Sequence, residues 1–100
     1  MRFKIATTAD LPAEGHAKEF ICDGKPVCIA RVDGHLTAMD NVCPHRGGPL
    51  SDGVIMDGKL ICPWHGWQFD PVTGKSVQVP NTGVDVYTIS IEGDGVFLEK

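Results

Sequence analysis

The sequence predicts an all-β domain, either an antiparallel sandwich or a partly closed barrel made of hairpins. The first observation behind this is a set of Asp-Gly pairs, at 23–24, 33–34, 52–53, 57–58 and 94–95. Asp-Gly between apolar runs favours the type I′ turn that joins neighbouring antiparallel strands. The second is alternation, clearest in 86–91, where Tyr87, Ile89 and Ile91 fall on one predicted face. A period of two is typical of a half-buried strand.

The apolar runs between these turns predict the individual strands. They lie at 3–7, 19–22, 27–32, 36–40, 54–56, 60–61, 67–69, 86–91 and 96–98. The stretch 9–18 is the only helix candidate, but Gly15 and the lack of a second apolar contact predict a loop there. One hundred residues without repeats or a linker are expected to form a single domain, 1–100.

Composition and charge narrow the class of partner. Nine basic and thirteen acidic residues give a net charge of −4, which offers no reason to expect nucleic acid or an anionic membrane as a partner. The charge fits a carrier that meets a basic docking patch on another protein. No apolar run approaches the length of a membrane span, and Arg2 and Lys4 are not followed by the apolar core of a signal peptide. We therefore expect a cytoplasmic protein without a membrane partner.

Two short boxes contain the residues that suggest chemistry. They read CPHRGG at 43–48 and CPWHGW at 62–67. Each offers one thiolate and one imidazole, a ligand set for a metal centre, and the four candidates are Cys43, His45, Cys62 and His65. A zinc finger usually draws two like ligands from each knuckle, whereas here each loop mixes Cys with His. That suits two different irons, one held by both cysteines and the other by both histidines. A structural zinc site is the alternative.

Proline and glycine have similar places in both boxes. Pro44 and Pro63 follow the cysteines, where a fixed φ stiffens the loop as the ligand leaves the backbone. Gly47, Gly48 and Gly66 lie near the histidines, where glycine lets backbone amides approach a cluster and adopt positive φ. Amides aimed at sulfides and thiolates help to set a cluster's potential.

The stretches CPHRGGPLSDG and CPWHGWQFDPVTG resemble the two cluster-binding boxes of the Rieske family, in particular those of the small Rieske ferredoxins that serve bacterial aromatic-ring-hydroxylating dioxygenases. The resemblance implies one Rieske 2Fe-2S cluster, with Cys43 and Cys62 on the inner iron and His45 and His65 on the outer, solvent-facing iron. It also implies an antiparallel base, about 1–40 and 75–100, that carries an inserted cluster-binding subdomain, about 41–74.

Several neighbouring residues are candidates for the rim of this centre. Arg46 is either a docking contact or a solvated loop charge. Trp64 and Trp67 either shield the cluster or form an apolar docking patch, and shielding is expected for one of them. A third loop around 79–82, stiffened by Pro80, is expected to cover the other side of the cluster.

The resemblance also bears on the reduction potential. High-potential respiratory members of the family add a disulfide between the boxes and hydroxyl donors to the cluster sulfurs. The matching positions here are Gly48, Trp64, Trp67 and Phe69, none of which can form that disulfide or donate a hydroxyl. We therefore predict a potential at the low end of the family range of about −150 to +300 mV.

Two other cysteines, Cys22 and Cys28, lie in apolar segments on either side of a predicted turn, so we expect reduced, buried thiols. No paired carboxylates and no nucleophile–base pair suggest catalysis. All four ligand positions of the implied cluster are filled by protein side chains, so the outer iron would have no open site for a substrate.

The prediction is therefore an electron-transfer component rather than an enzyme. It would be a monomeric one-electron carrier between an NAD(P)H-dependent flavoprotein reductase and a terminal oxygenase. The alternatives are a small Rieske subunit of a cytoplasmic oxidoreductase, such as nitrite reductase, or a non-redox metal-binding interaction module.

Overall fold

The computed structural model describes residues 2–43, 47–64 and 66–99. This part of the chain contains nine β-strands and two 3-10 turns, and no α-helix. The strands are β1 (Arg2–Thr7), β2 (Ala17–Cys22), β3 (Lys25–Val32), β4 (His35–Asp40), β5 (Val54–Met56), β6 (Lys59–Ile61), β7 (Gln68–Phe69), β8 (Val86–Glu92) and β9 (Gly95–Glu99). The all-β prediction is confirmed, and strand ends differ from the predicted ones by at most two residues. Within the described ranges no helix is long and apolar enough to cross a bilayer.

The strands form two antiparallel sheets. The larger has the order β1-β9-β8-β4-β3-β2, and the smaller has the order β5-β6-β7. The edge strands β1 and β2 of the larger sheet lie in contact, so this sheet curls into a nearly closed barrel. The structure therefore selects the barrel from the two predicted architectures.

Three of the five predicted Asp-Gly turns are confirmed. Both residues of each pair have positive φ, as a type I′ turn requires, and the pairs are 23–24, 33–34 and 57–58. Each links two strands whose end residues are paired directly across the turn, as Cys22 is with Lys25.

Of the other two predictions, the hairpin near 94–95 is confirmed but its loop begins one residue earlier, whereas the prediction at 52–53 is wrong. At the β8–β9 hairpin, Glu92 pairs with Gly95, so the two-residue loop is Gly93-Asp94 and its first residue has the positive φ, 60°. The pair 52–53 does not form a hairpin turn, because it ends a 3-10 turn (Leu50–Asp52) and Gly53 has a φ of −79°. Glycine is needed there because a Cβ would collide with the carbonyl oxygen of Ile61 on β6.

The only helix candidate, 9–18, is mainly loop, as predicted. A 3-10 turn (Thr8–Asp10) begins it, and the Asp10 carboxylate accepts hydrogen bonds from the Thr7 amide and hydroxyl at 3.2 and 3.1 Å. The last two residues of the stretch already belong to β2.

Two apolar clusters form the core. One fills the barrel and consists of Phe20, Cys22, Val27, Ile29, Ala38 and Leu98. The other joins the barrel to the small sheet and consists of Cys28, Met39, Cys43, Leu50, Leu60, Cys62 and Phe69. Successive residues of β3 enter different clusters because strand side chains alternate between faces. This explains the uninterrupted buried run over 27–30.

Cys22 and Cys28 are buried and reduced, as predicted. The pairing of β2 with β3 places them on opposite faces of the sheet, so they cannot form a disulfide with each other. Burial raises the pKa of Cys28 to about 12, and the nearby Glu19 carboxylate adds to the shift.

Candidate metal centre

The two sheets bring Cys43 and Cys62 together. Cys43 follows β4 of the barrel, and Cys62 directly follows β6 of the small sheet. Each is 1% exposed, both belong to the core cluster that joins the sheets, and their thiols hydrogen-bond to each other. Two residues 19 positions apart in sequence (62 − 43) thus present adjacent sulfur atoms.

An equivalent backbone hydrogen bond closes each of the two loops. The Cys43 N–H donates to the Gly48 carbonyl at 2.9 Å, and the Cys62 N–H donates to the Trp67 carbonyl at 2.8 Å. In both cases the acceptor lies five residues after the cysteine. The boxes, which looked alike in sequence, are therefore loops of equal span with their cysteines held at the base.

Glycines also lie at equivalent positions in the two loops. Gly47 and Gly66 each lie four residues after their cysteine and have φ of 75° and 71°, a conformation that favours glycine. The Gly47 N–H donates to the Cys43 carbonyl at 2.7 Å. Each loop turns back at its left-handed glycine, which explains why both boxes need one at this spacing.

The electrostatics favour a neutral Cys62 thiol until a metal is bound. Burial raises the pKa of Cys62, a hydrogen bond from the Trp64 amide partly opposes that, and the Cys43 thiol raises it further. Metal ligation requires thiolates, so binding at this pair would release protons. The Trp64 amide is a donor of the kind that stabilises a metal-bound thiolate.

The floor beneath the cysteines is apolar. Met39, Leu50, Leu60 and Phe69 are fully buried around them. Trp67 is half-buried against this cluster, with its ring centroid 6.5 Å from that of Phe69 and the planes tilted by 35°. Water is therefore excluded from the inner side of the sulfur pair.

The rim residues have different surroundings. Trp64 is 48% exposed, in contrast to the half-buried Trp67. Pro80 lies in the predicted third loop, which is attached beside the second box. There the Gln68 N–H donates to Gln78 Oε1 at 3.0 Å and the Val77 N–H donates to the Gln68 carbonyl at 2.9 Å.

Sequence reasoning missed Asn41, which is 2% exposed and two residues before Cys43. Its Nδ2 donates to Glu19 Oε2 at 2.7 Å and to Ser51 Oγ at 2.8 Å, and its Oδ1 accepts from the Ser51 N–H at 2.6 Å. Asn41 thus joins the start of the first box to β2 and to the 3-10 turn that follows the box. An Asn after a strand ordinarily indicates a turn, so its local pattern carries no signal of this role.

The structure thus brings together the predicted Cys43 and Cys62 with Gly47, Gly48, Trp64, Gly66 and Trp67. The predicted His45, Arg46 and His65, and the stiffening Pro44, lie outside the described residues.

Comparisons with known proteins agree with this geometry. A family model, "Rieske [2Fe-2S] domain", matches residues 1–88. The ferredoxin component of the naphthalene 1,2-dioxygenase system of Pseudomonas aeruginosa is 32% identical over 87 residues, which are 86% of this chain and 84% of that protein. The vanillate O-demethylase oxygenase subunit of a Pseudomonas strain is 39% identical over 80 residues, which are 80% of this chain and 22% of that protein.

Among solved structures, the ferredoxin of carbazole 1,9a-dioxygenase from Nocardioides aromaticivorans superposes with a TM-score of 0.85 at 27% identity, covering 98% of this chain and 96% of that one. The family match accounts for a mixed pair of ligand boxes on a small barrel, and it implies a single Rieske 2Fe-2S cluster. This chain belongs to the Rieske [2Fe-2S] domain family.

Proposed function

We propose that this chain is a one-electron carrier of a multicomponent oxygenase system, and that Cys43, His45, Cys62 and His65 hold its Rieske 2Fe-2S cluster. The observation that supports this most directly is the pair of buried, adjacent thiols at the base of two equivalent loops. Two thiolates side by side are a donor set for one iron of a mixed cluster.

The chain's own residues would hold and tune the cluster. When bound, such a cluster accepts and returns one electron. Cys43 and Cys62 would anchor it from the floor of the loops, and the apolar cluster below them keeps water from that side. The Trp64 amide would donate to the Cys62 sulfur. His45 and His65 would face solvent, where a partner can approach.

We infer the partners from chemistry and from the relatives. The donor would be an NAD(P)H-dependent flavoprotein reductase, and the acceptor would be a terminal oxygenase. The ferredoxin component of a naphthalene dioxygenase system, 32% identical, supports the acceptor class. Net charge −4 suits a basic docking patch on either partner. Arg46 would contribute to the docking rim, and the carrier would be a cytoplasmic monomer.

The proposed internal division follows the sheets. The barrel strands β1–β4 and β8–β9 would be the base, and the segment 41–74 with the small sheet would be the cluster-binding subdomain. This assignment is supported by the position of both cysteines where the two sheets meet.

A second candidate is a Rieske domain that passes electrons within a longer oxygenase polypeptide. The match to an oxygenase subunit favours it, because 80% of this chain aligns with 22% of that protein at 39% identity. The electron would enter by the same cluster, but the acceptor would be joined covalently rather than reached by diffusion.

Reconstitution distinguishes these functions. The purified chain, with NADH and a flavoprotein reductase from an aromatic-ring dioxygenase system, should become reduced and then pass electrons to a separate terminal oxygenase. Cys62→Ser should abolish this by preventing cluster assembly. If the chain becomes reduced but passes no electrons to any separate oxygenase, the result supports the second candidate, a Rieske domain within a longer oxygenase polypeptide. A colourless protein without iron or labile sulfide contradicts both and favours a non-redox metal module.

A further inference from the structure

The neighbouring glycines of the first box are needed for different reasons. Gly47 has the positive φ, and the atom nearest to a Cβ placed there is Val42 Cγ1 at 3.9 Å, an ordinary contact. Gly48 has no positive φ. A Cβ on Gly48 would instead lie 2.9 Å from Cδ2, 3.0 Å from Cγ and 3.1 Å from Cε3 of Trp64. Gly47 is required by the backbone, whereas Gly48 is required by the indole that lies against it.

This contact joins the two boxes. Each loop is closed by hydrogen bonds of its own, whereas the indole of the second box packs on the backbone of the first. Trp64 is 48% exposed, and the contact with Gly48 restrains its ring from one side.

Trp64 also contacts the sulfur pair through its backbone. Its amide hydrogen-bonds to the Cys62 sulfur, two residues earlier. One residue therefore reaches the first box with its side chain and a proposed iron ligand with its N–H group. A displacement of the indole that is taken up by the main chain, rather than by rotation about the side-chain bonds alone, moves that amide.

We propose that Trp64 and Gly48 are a positioning pair, in which the indole packed on Gly48 holds the Trp64 amide on the Cys62 sulfur and so sets the reduction potential of the centre. The inference rests on the proposed function. A hydrogen bond to a cysteine ligand stabilises the reduced, more negative state more than the oxidised state. Displacing the amide should therefore lower the potential.

The test starts with Gly48→Ala in the cluster-loaded protein. The added methyl group displaces the indole, because it cannot fit at 2.9 Å from the ring. We expect about a fivefold fall in the ratio of reduced to oxidised protein at a fixed ambient potential, which is about 40 mV at 59 mV per tenfold change. Spectroelectrochemical titration in the visible range measures it directly.

A double-mutant comparison separates positioning from general damage. In the background of Trp64→Leu the indole is gone, so adding Gly48→Ala should change the potential far less than it does in the parent protein. An equal change in both backgrounds overturns the proposal, and so does a wild-type potential for Gly48→Ala.

Gly95→Ala is a matched control in the barrel. A Cβ there would also meet an aromatic ring, that of Phe97, at 2.9 and 3.2 Å, and Gly95 has no positive φ. We expect it to lower the melting temperature like Gly48→Ala but to leave the potential unchanged. A similar potential shift in Gly95→Ala overturns the specific role of Trp64. If the parent chain binds no cluster, the proposed function itself has failed, which is a different result from an unresponsive Gly48→Ala.

Discussion

At the scale of single residues, the site depends on a buried polar group that its local sequence does not reveal. Asn41 satisfies its side-chain amide with partners on β2 and on the turn after the first box. Those partners are 22 and 10 positions away, so only the folded arrangement discloses them. That Cys43 and Cys62 meet was predictable, because the residue types and the spacing of the two boxes indicate a shared site.

Asn41→Ala should destabilise the protein by about 2 kcal/mol, because it leaves the Ser51 N–H without its acceptor and removes two donated bonds. For a domain of this size that is a fall of about 10 °C in melting temperature. Iron release should accompany unfolding at the lower temperature. Circular dichroism measures the unfolding, and visible absorbance measures the iron release in the same experiment. Thr88→Ala, on the exposed face of β8, serves as the control. A melting temperature within 2 °C of the parent, on the order of 0.5 kcal/mol or less, contradicts the assigned role.

Tyr87 allows a prediction about pH dependence. It is the only tyrosine in the chain, so a tyrosinate signal reports on this residue alone. Burial raises its pKa, and its hydroxyl donates to the Asp40 carboxylate, which raises it further. A pKa raised above the unfolded value of about 10 means that this contribution to stability is complete below pH 10 and is lost as pH rises through the folded value.

Absorbance of tyrosinate near 295 nm should therefore appear at higher pH in the folded protein than in the urea-unfolded chain. Asp40→Asn should move the folded transition down but leave it above 10, because burial remains. Coincident titration of the folded and unfolded protein is the result that contradicts this account.

At the scale of elements, turn chemistry and alternation predicted the strands, and a long-range backbone contact explains the error at 52–53. The pair 52–53 has the sequence of a hairpin turn, yet Gly53 is set by the approach of β6. Nothing in the local sequence indicates that the carbonyl group of Ile61 lies against Gly53.

Gly53→Ala should therefore cost about 3 kcal/mol, since backbone must move to admit the methyl group. Gly58→Ala is the matched variant in the same hairpin, where φ is 75° and nothing lies within 4 Å of a Cβ. Only backbone conformation opposes it, at about 1 kcal/mol. Thermal unfolding of both variants should rank them in this order, and the reverse order would show that φ rather than packing dominates here.

At the scale of the whole molecule, sequence could not choose between sandwich and barrel. Closure depends on β1 pairing with β9 and meeting β2, contacts that join the beginning of the chain to its end. The sequence predicted that Cys43 and Cys62 would lie in one site, whereas the equal loops, the Asn41 network and the Trp64–Gly48 contact appear only in three dimensions.

The reduction potential is a property of this whole assembly. Phe69 is fully buried and Trp67 packs near it, and neither offers a hydroxyl to a sulfur. We expect a midpoint between about −150 and 0 mV. A redox titration of the cluster-loaded protein measures this midpoint potential. A value well above 0 mV would contradict the proposal that the absence of hydroxyl donors determines the potential.

The ligation of the cluster by two cysteines and two histidines is best tested by electron paramagnetic resonance of the dithionite-reduced protein, with hyperfine coupling measured after ¹⁵N-histidine labelling. We expect a signal from a reduced two-iron cluster with coupling to two histidine nitrogens, and we expect Cys43→Ser to abolish that signal. A transparent, spin-silent protein, or a cluster without nitrogen coupling, would contradict it.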